Sequence, residues 1–259
     1  MTSLREKWAA GEETLGLWLA VPSFVSAEIA ARQPVDYVCV DMQHGVIDYQ
    51  ASASMIQAIE LTGGTPIVRV PWNEPGIIGK SLDAGAHGVI VPMVNTRAQA
   101  EAVVRSARYA PDGGRSWGPV MAGMRHPDNK RWAAETIAVI PMIETAEAIA
   151  NLDEILTVPG VDVIYVGPAD LGVSLGLEPS GNDGNPIFDG ALSTIVEACR
   201  RHGVVPGIHS TGPLCALRRA QGFRMITVTS DALAMRVGYD SELAAARETT
   251  TAADDGKLY

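Results

Sequence analysis

The sequence predicts a (β/α)8 barrel in a single domain, and three observations carry that prediction. There are eight short apolar runs rich in Val and Ile, amphipathic stretches of helical period between them, and glycines where those stretches stop. In order, the apolar runs are Leu15 to Ala20, Tyr37 to Val40, Pro66 to Val70, Gly88 to Met93, Ile137 to Ile143, Val161 to Val166, Val204 to Ile208 and Met225 to Thr229. Each is apolar on both faces, as parallel strands are when helices cover the outside and packed side chains fill the inside. The spacers with helix periodicity include Ala51 to Leu61, Glu74 to Ala84, Arg97 to Arg108, Ala146 to Leu156 and Ile187 to His202. Gly63, Gly85, Gly160, Gly203 and Gly222 fall where a helix C-cap favours glycine. An open doubly wound sheet would show the same alternation, but no GxGxxG follows the first run, which lowers the dinucleotide-binding option.

The remaining segments are irregular. Residues 1–13 form a short N-terminal extension, and Pro111 to Ala134 reads as a long loop with one short helix before the fifth strand. The tail from Thr249 to Tyr259 is polar and aperiodic and is expected to fray.

Composition narrows the function classes. A formal charge of −10 without clustered Lys and Arg argues against a nucleic-acid partner. No run is long enough to span a membrane and MTSLREKWAAGEET lacks the apolar core of a signal peptide, so a cytoplasmic protein with no membrane partner is expected. Cys39, Cys199 and Cys215 show neither CxxC spacing nor an even count, so neither a disulfide framework nor a zinc cluster is suggested.

In a barrel the chemistry collects at the C-terminal ends of the strands. The polar residues at or just after the ends of the apolar runs are few: Asp41 to Gly45, Arg69, Glu144, Gly167-Pro168-Ala169-Asp170, and His209-Ser210. Glu144 and Asp170 end neighbouring strands, where two carboxylates can share one hard divalent cation; both would equally serve as helix N-terminal acids. Arg69 interrupts the apolar PIVRVP and needs an anionic partner, either a developing enolate oxygen or a structural carboxylate such as Asp41. Asp41 and His44 are close enough for the carboxylate to orient the imidazole as an acid–base pair. For His87, His126 and His202 a satisfied polar contact or a surface position is expected. The only lysines, Lys7, Lys80, Lys130 and Lys257, lie away from every predicted strand end, which leaves no Schiff-base nucleophile. No GxSxG elbow or P-loop is present.

The segments DMQHG, PIVRVPW, GAHGVIVPMV, RYAPDGGRSWG, PMIET, VDVIYVGPADLGVSLG and PGIHS together resemble the HpcH/HpaI family of class II pyruvate aldolases, from about Leu15 to about Ala245. The resemblance implies a TIM barrel of the phosphoenolpyruvate/pyruvate superfamily, a trimer of dimers that exchange their last helix, and magnesium, manganese or cobalt as cofactor. It implies reversible retro-aldol cleavage of a 4-hydroxy-2-oxo acid to pyruvate and an aldehyde. Glu144 and Asp170 would then hold the metal, Arg69 would stabilise the enolate oxygen, and His44, backed by Asp41, would act on the 4-hydroxyl. The backbone at Gly167, Pro168, Ala169 and Asp170 would receive the pyruvate carboxylate, and Trp117 would line the aldehyde pocket; His209, at the end of the seventh run, is a candidate either for the wall of that pocket or for a structural role. Two departures stand out: Gln43 where familiar members carry Glu, and Pro119 where many carry Ser. Competing functions are a decarboxylase or another enolate-forming relative on the same barrel, and a non-catalytic binder of pyruvate-like ligands.

Overall fold

The computed structural model describes residues 2–247; the expected fraying of Thr249 to Tyr259 lies outside the described residues. Eight parallel strands close into a barrel in which each strand pairs with its sequence neighbour and the last with the first. They are β1 (Thr14–Leu19), β2 (Tyr37–Asp41), β3 (Pro66–Arg69), β4 (Gly88–Val91), β5 (Ala138–Ile143), β6 (Val163–Val166), β7 (Val205–His209) and β8 (Met225–Ser230). The helices are α1 (Leu4–Ala9), α2 (Phe24–Ala31), α3 (Tyr49–Leu61), α4 (Pro75–Asp83), α5 (Arg97–Ala107), α6 (Val120–Arg125) and α7 (Asn129–Thr136). They continue with α8 (Ala146–Ala150), α9 (Leu152–Leu156), α10 (Pro168–Ser174), α11 (Pro186–His202), α12 (Cys215–Gln221) and α13 (Asp231–Arg247).

Side chains alternate in and out along each strand, and this period of two separates two cores. One fills the barrel with Trp18, Tyr37, Cys39, Ile67, Ile90, Ile140, Met142, Tyr165 and Met225, among others. The larger one lies between the strands and the helical layer and holds the complementary residues, such as Val38, Val40, Val68, Val89, Val139 and Ile164. Packing inside is tight: a Cβ at Gly16 would stand 2.1 Å from the Tyr37 ring, so glycine is the residue that lets β1 pass it. The hydroxyls of Tyr37 and Tyr165 both reach Thr227 Oγ1, at 3.0 and 2.5 Å, which pairs the polar atoms enclosed there.

The N-terminal extension is part of the fold. Ser3 and Glu6 form a capping box that starts α1, and Leu4 and Trp8 are buried in the barrel core. Trp8 donates its indole N–H to Thr14 Oγ1 at 2.9 Å. Burying two such side chains contributes about 1.5–3 kcal/mol each and closes the N-terminal end of the barrel.

Two segments differ from the sequence reading. The stretch Ala146 to Leu156 is two short helices, because Asn151 leaves the helical conformation and gives its side-chain N–H to the Asn95 carbonyl at 2.9 Å. The stretch Pro111 to Ala134 holds α6 and the start of α7 rather than one short helix. His126 precedes Pro127 and is forced out of the α region, with φ −121° and ψ 88°, which separates the two. The longest spacer behaves as expected: Asn185 caps α11 at its start and Gly203, at φ 69°, ends it.

Candidate active site at the barrel mouth

The inward-pointing rows of the strands run upward from the apolar core into a polar top layer. On β2 the row Tyr37, Cys39 ends in Asp41; on β3 Ile67 is followed by Arg69. On β5 the row Ala138, Ile140, Met142 leads to Glu144, and on β6 Val163, Tyr165 leads to Gly167. Of these, Arg69, Met142, Glu144, Tyr165 and Gly167, with Trp18 from β1 and His209 from β7, surround a cavity of about 190 Å³, joined at its rim by His44, Pro168, Ala169 and Asp170. The strand period thus gathers Arg69, Glu144, Gly167 and His209 without any of them being near in sequence.

Asp41 and Arg69 face each other in register across β2 and β3. Two parallel bonds join them, Nε to Oδ1 at 2.8 Å and Nη2 to Oδ2 at 2.6 Å, and both residues are buried. Burial alone would raise the Asp41 pKa, but the bonds and charge of Arg69 win and hold it below the ordinary carboxylate value. The Trp18 indole N–H also donates to Asp41, at 3.1 Å, and the guanidinium lies 4.9 Å from the Trp18 ring centroid. The link from Asp41 to His44 differs from the expectation. Asp41 accepts the backbone N–H groups of Gln43 and His44, at 3.0 and 3.3 Å, and so shapes the loop rather than orienting the imidazole. The acid–base dyad is corrected accordingly: the carboxylate is already engaged by Arg69, a stronger partner. His44 itself is exposed at the rim.

Glu144 is the most deeply buried acid of the site, at 1% exposure. It does not cap a helix, since Thr145 occupies that position and accepts from Ala148 at 3.0 Å. One oxygen, Oε1, accepts the Met93 backbone N–H at 2.8 Å. The other, Oε2, is buried without a hydrogen-bond partner among the described residues. Burial pushes the Glu144 pKa up to about 7, with the nearby Asp170 charge adding to the rise and the Met93 N–H and Arg69 opposing it. A Cβ at Gly167 would stand 2.3 Å from Oε2, so glycine there keeps space open beside that oxygen. Asp170, in the first turn of α10, is exposed and faces the same cavity. An orphaned carboxylate oxygen, a second carboxylate and open space form the donor set that a hard divalent cation requires.

The structure also relocates one predicted residue and supplies others. Trp117 is exposed and packs on Tyr109, 5.0 Å between ring centroids, in the loop after α5 at the N-terminal end of the barrel. It is absent from the lining of the mouth, so its assignment to the aldehyde pocket does not hold within one chain; the loop leaves a helix that runs down from β4, away from the strand C-termini. His209 lies at the mouth as expected, edge-on to Trp18 at 4.9 Å, and burial lowers its pKa to about 4, with Arg69 adding to the fall. Trp18 and Met93 were not singled out by sequence. Trp18 reads as one more apolar strand residue. Met93 holds Glu144 from a left-handed backbone, φ 56°, a conformation unusual for a side chain without local polar groups and one that sequence does not mark.

Comparison with known proteins agrees with this geometry. The profile of the HpcH/HpaI aldolase/citrate lyase family matches residues 14–237. The chain is 40% identical to the hydroxypyruvate/pyruvate aldolase of Rhizorhabdus wittichii, over 89% of this chain and 93% of that one. It is 34% identical to the 4-hydroxy-2-oxo-heptane-1,7-dioate aldolase of Klebsiella pneumoniae, over 98% of each. Among solved structures, an HpcH/HpaI aldolase/citrate lyase family protein from Burkholderia cenocepacia superposes with a TM-score of 0.88 at 33% identity, covering 96% of this chain and 100% of that one.

Proposed function

The chain belongs to the HpcH/HpaI aldolase/citrate lyase family and is a carbon–carbon lyase of the aldolase kind, and from that premise we propose the roles of its mouth residues and the bond they act on. The reaction is reversible cleavage of a 4-hydroxy-2-oxo acid into a pyruvate unit and an aldehyde. The observation that carries the site assignment is the buried, unpartnered Oε2 of Glu144 beside Asp170 at the barrel mouth.

Glu144 and Asp170 would hold a divalent cation of the magnesium, manganese or cobalt kind, which when bound would supply Lewis acidity to the 2-oxo acid. Arg69 presents a permanent positive charge to the oxygen on which negative charge develops. Because Asp41 and Trp18 fix its orientation beforehand, little reorganisation accompanies the reaction. The backbone N–H groups at the turn from Gly167 to Asp170 receive the carboxylate of the pyruvate unit. His44, at the rim, takes the proton of the 4-hydroxyl, directly or through a water, and returns it in the reverse direction. His209, kept neutral by burial, forms part of the wall rather than a second cationic site.

The test is deuterium exchange into the methyl group of pyruvate, followed by NMR, on chelator-treated protein with and without added magnesium, manganese or cobalt. Metal-dependent exchange is the expected result. Absence of exchange with every metal would overturn the reading and favour a binding role or another substrate class.

The assembly belongs to the same proposal. No described residue of α13 is buried, and Val237, Tyr239 and Leu243 stand exposed along it. An apolar groove of about 520 Å³ lies between α13 and α2, lined by Leu17, Leu19, Ile29, Ala30 and Met235. A helix with an unused apolar face beside an unfilled groove supports exchange of last helices between copies in a trimer of dimers. A cytoplasmic site of action is supported by three buried free cysteines. Among the described residues no helix is long and apolar enough to cross a membrane.

A further inference from the structure

At the opposite end of the barrel from the mouth, Glu60, His87 and His126 converge, with their ligating atoms all within 4.8 Å of one another. They arrive from three directions: Glu60 from the last turn of α3, His87 from the residue before β4, and His126 from the end of α6. We propose that these three side chains form a second, transition-metal site, of the zinc, cobalt or nickel type, separate from the mouth and structural in purpose.

The geometry carries this in three steps. First, both imidazole Nε2 atoms point at the same carboxylate oxygen, Glu60 Oε1, from 3.2 Å for His126 and 3.6 Å for His87. The second distance is too long for a hydrogen bond, and His87 Nε2 is buried with no partner among the described residues. One cation between the three atoms would satisfy all of them. Two imidazoles and a carboxylate are the donor set that borderline metals favour, unlike the all-oxygen pair at the mouth.

Second, the groups behind the ligands are in place. The other carboxylate oxygen, Glu60 Oε2, accepts from the Arg125 guanidinium, which fixes which oxygen faces the histidines. The His126 ring is stacked on Trp132, with centroids 3.8 Å apart and planes within 6°, and the His87 ring stands edge-on to the same indole at 5.2 Å. Neither ring has to be ordered by the metal. Third, a cavity of about 610 Å³ lies against His87, His126 and Trp132, which leaves coordination positions open to water.

The position defines the role. The connection from β4 to β5, residues 92–137, is the longest between strands, and His126 lies in its second half, whereas Glu60 and His87 belong to the barrel layers. A cation there clips the connection to the N-terminal face, the end at which barrels serve stability rather than catalysis. A polar contact alone, the expectation for His87 and His126 from sequence, leaves His87 Nε2 unexplained.

The experiment uses tag-free, chelator-treated protein carrying both Glu144→Gln and Asp170→Asn, so that the mouth is silent. Cobalt(II) and zinc(II) are titrated by calorimetry, visible absorption and thermal unfolding. One equivalent per chain should bind, with the stronger cobalt bands of a four- or five-coordinate nitrogen-containing site and a rise in Tm. Adding His87→Gln, or separately His126→Gln, should weaken binding more than about 100-fold and remove the bands. In an otherwise native mouth, the same two histidine variants should leave pyruvate methyl exchange unchanged. No binding in the mouth-silenced protein, or binding that survives both histidine substitutions, would overturn the proposal.

Discussion

Asp162 and Glu144 bracket the same strand pair, β5 and β6, from opposite ends and carry the same kind of charge, yet the fold treats them differently. Asp162, at the N-terminal end, accepts from Arg5 at 2.8 Å, from Arg108 at 3.1 Å and from the Val139 N–H at 2.9 Å. Both of its oxygens are used. Glu144, at the C-terminal end, has a single bond to Met93, an orphaned second oxygen, and a pKa pushed up to about 7. An acid with complete partners ties segments together; one with a missing partner is held ready for something that is not protein. The contrast extends to the surroundings. Around Asp162 are Arg5 of the plugging helix and Arg108, whereas around Glu144 are a glycine, an exposed aspartate, open space and an arginine whose hydrogen bonds go to Asp41 instead.

The sharpest way to break the contrast is to complete Glu144. Glu144→Gln removes the charge while keeping the shape, so metal-dependent methyl exchange should fall by more than about 100-fold, to the chelated background. Above about pH 7, where folded Glu144 is ionised, the fold should survive or gain stability, because a buried, poorly paired charge has been removed. NMR exchange and thermal melting read both outcomes; full exchange in this variant would sink the assignment of the mouth.

The next effect separates two residues of the same mouth. Arg69→Ala should slow methyl exchange itself by about 100- to 1000-fold. It should also destabilise the protein by about 3–5 kcal/mol, since Asp41 is left buried and unpaired. His44→Ala should instead spare part of the exchange and slow aldol cleavage by about 100- to 10,000-fold. Equal loss of both steps in the two variants would undo this division of labour.

At the other end, Trp8→Ala should cost about 3–5 kcal/mol in urea unfolding, as expected for emptying a 5%-exposed indole site, and leave kcat unchanged. A fall in kcat without a fall in stability would show that the two ends are not separable.

The smallest effect is in pH. In the metal-free protein the folded Glu144 keeps its proton up to about 7, whereas the unfolded chain releases it near the ordinary value of 4.5. Between those values the folded state binds more protons. Stability of the chelated protein should therefore fall as pH rises through that window, by on the order of 3 kcal/mol, and then level off. Glu144→Gln should lack this component, and the difference between the two urea-unfolding profiles isolates it.

Much of this was legible in the sequence because strand and helix patterns are local. All eight apolar runs became strands with ends shifted by at most a few residues, and Arg69, Glu144, Asp170 and His209 were found simply by asking which polar residues lie at or just after the end of each run. Where the reading differed, the reason was a contact between distant segments. The Asp41 carboxylate is engaged by Arg69, 28 residues away, rather than by its neighbour His44. Asn151 breaks a helix because Asn95 accepts its side chain. Trp117 is the exception: it lies at the far end because the helix before it runs down the barrel, a matter of topology rather than of contact.

The sequence by itself determined the order of elements, the inward and outward faces, and the layer in which chemistry can occur, since these follow from periods of 2 and 3.6 along the chain. Only the tertiary structure decided which acid is satisfied and which is left wanting. Satisfaction depends on partners brought in from other strands: the Met93 N–H turned toward Glu144 by a left-handed backbone, the space left by Gly167, and the arginines gathered around Asp162. Hydrogen bonds and desolvation act over a few ångströms of space, whatever the separation in sequence.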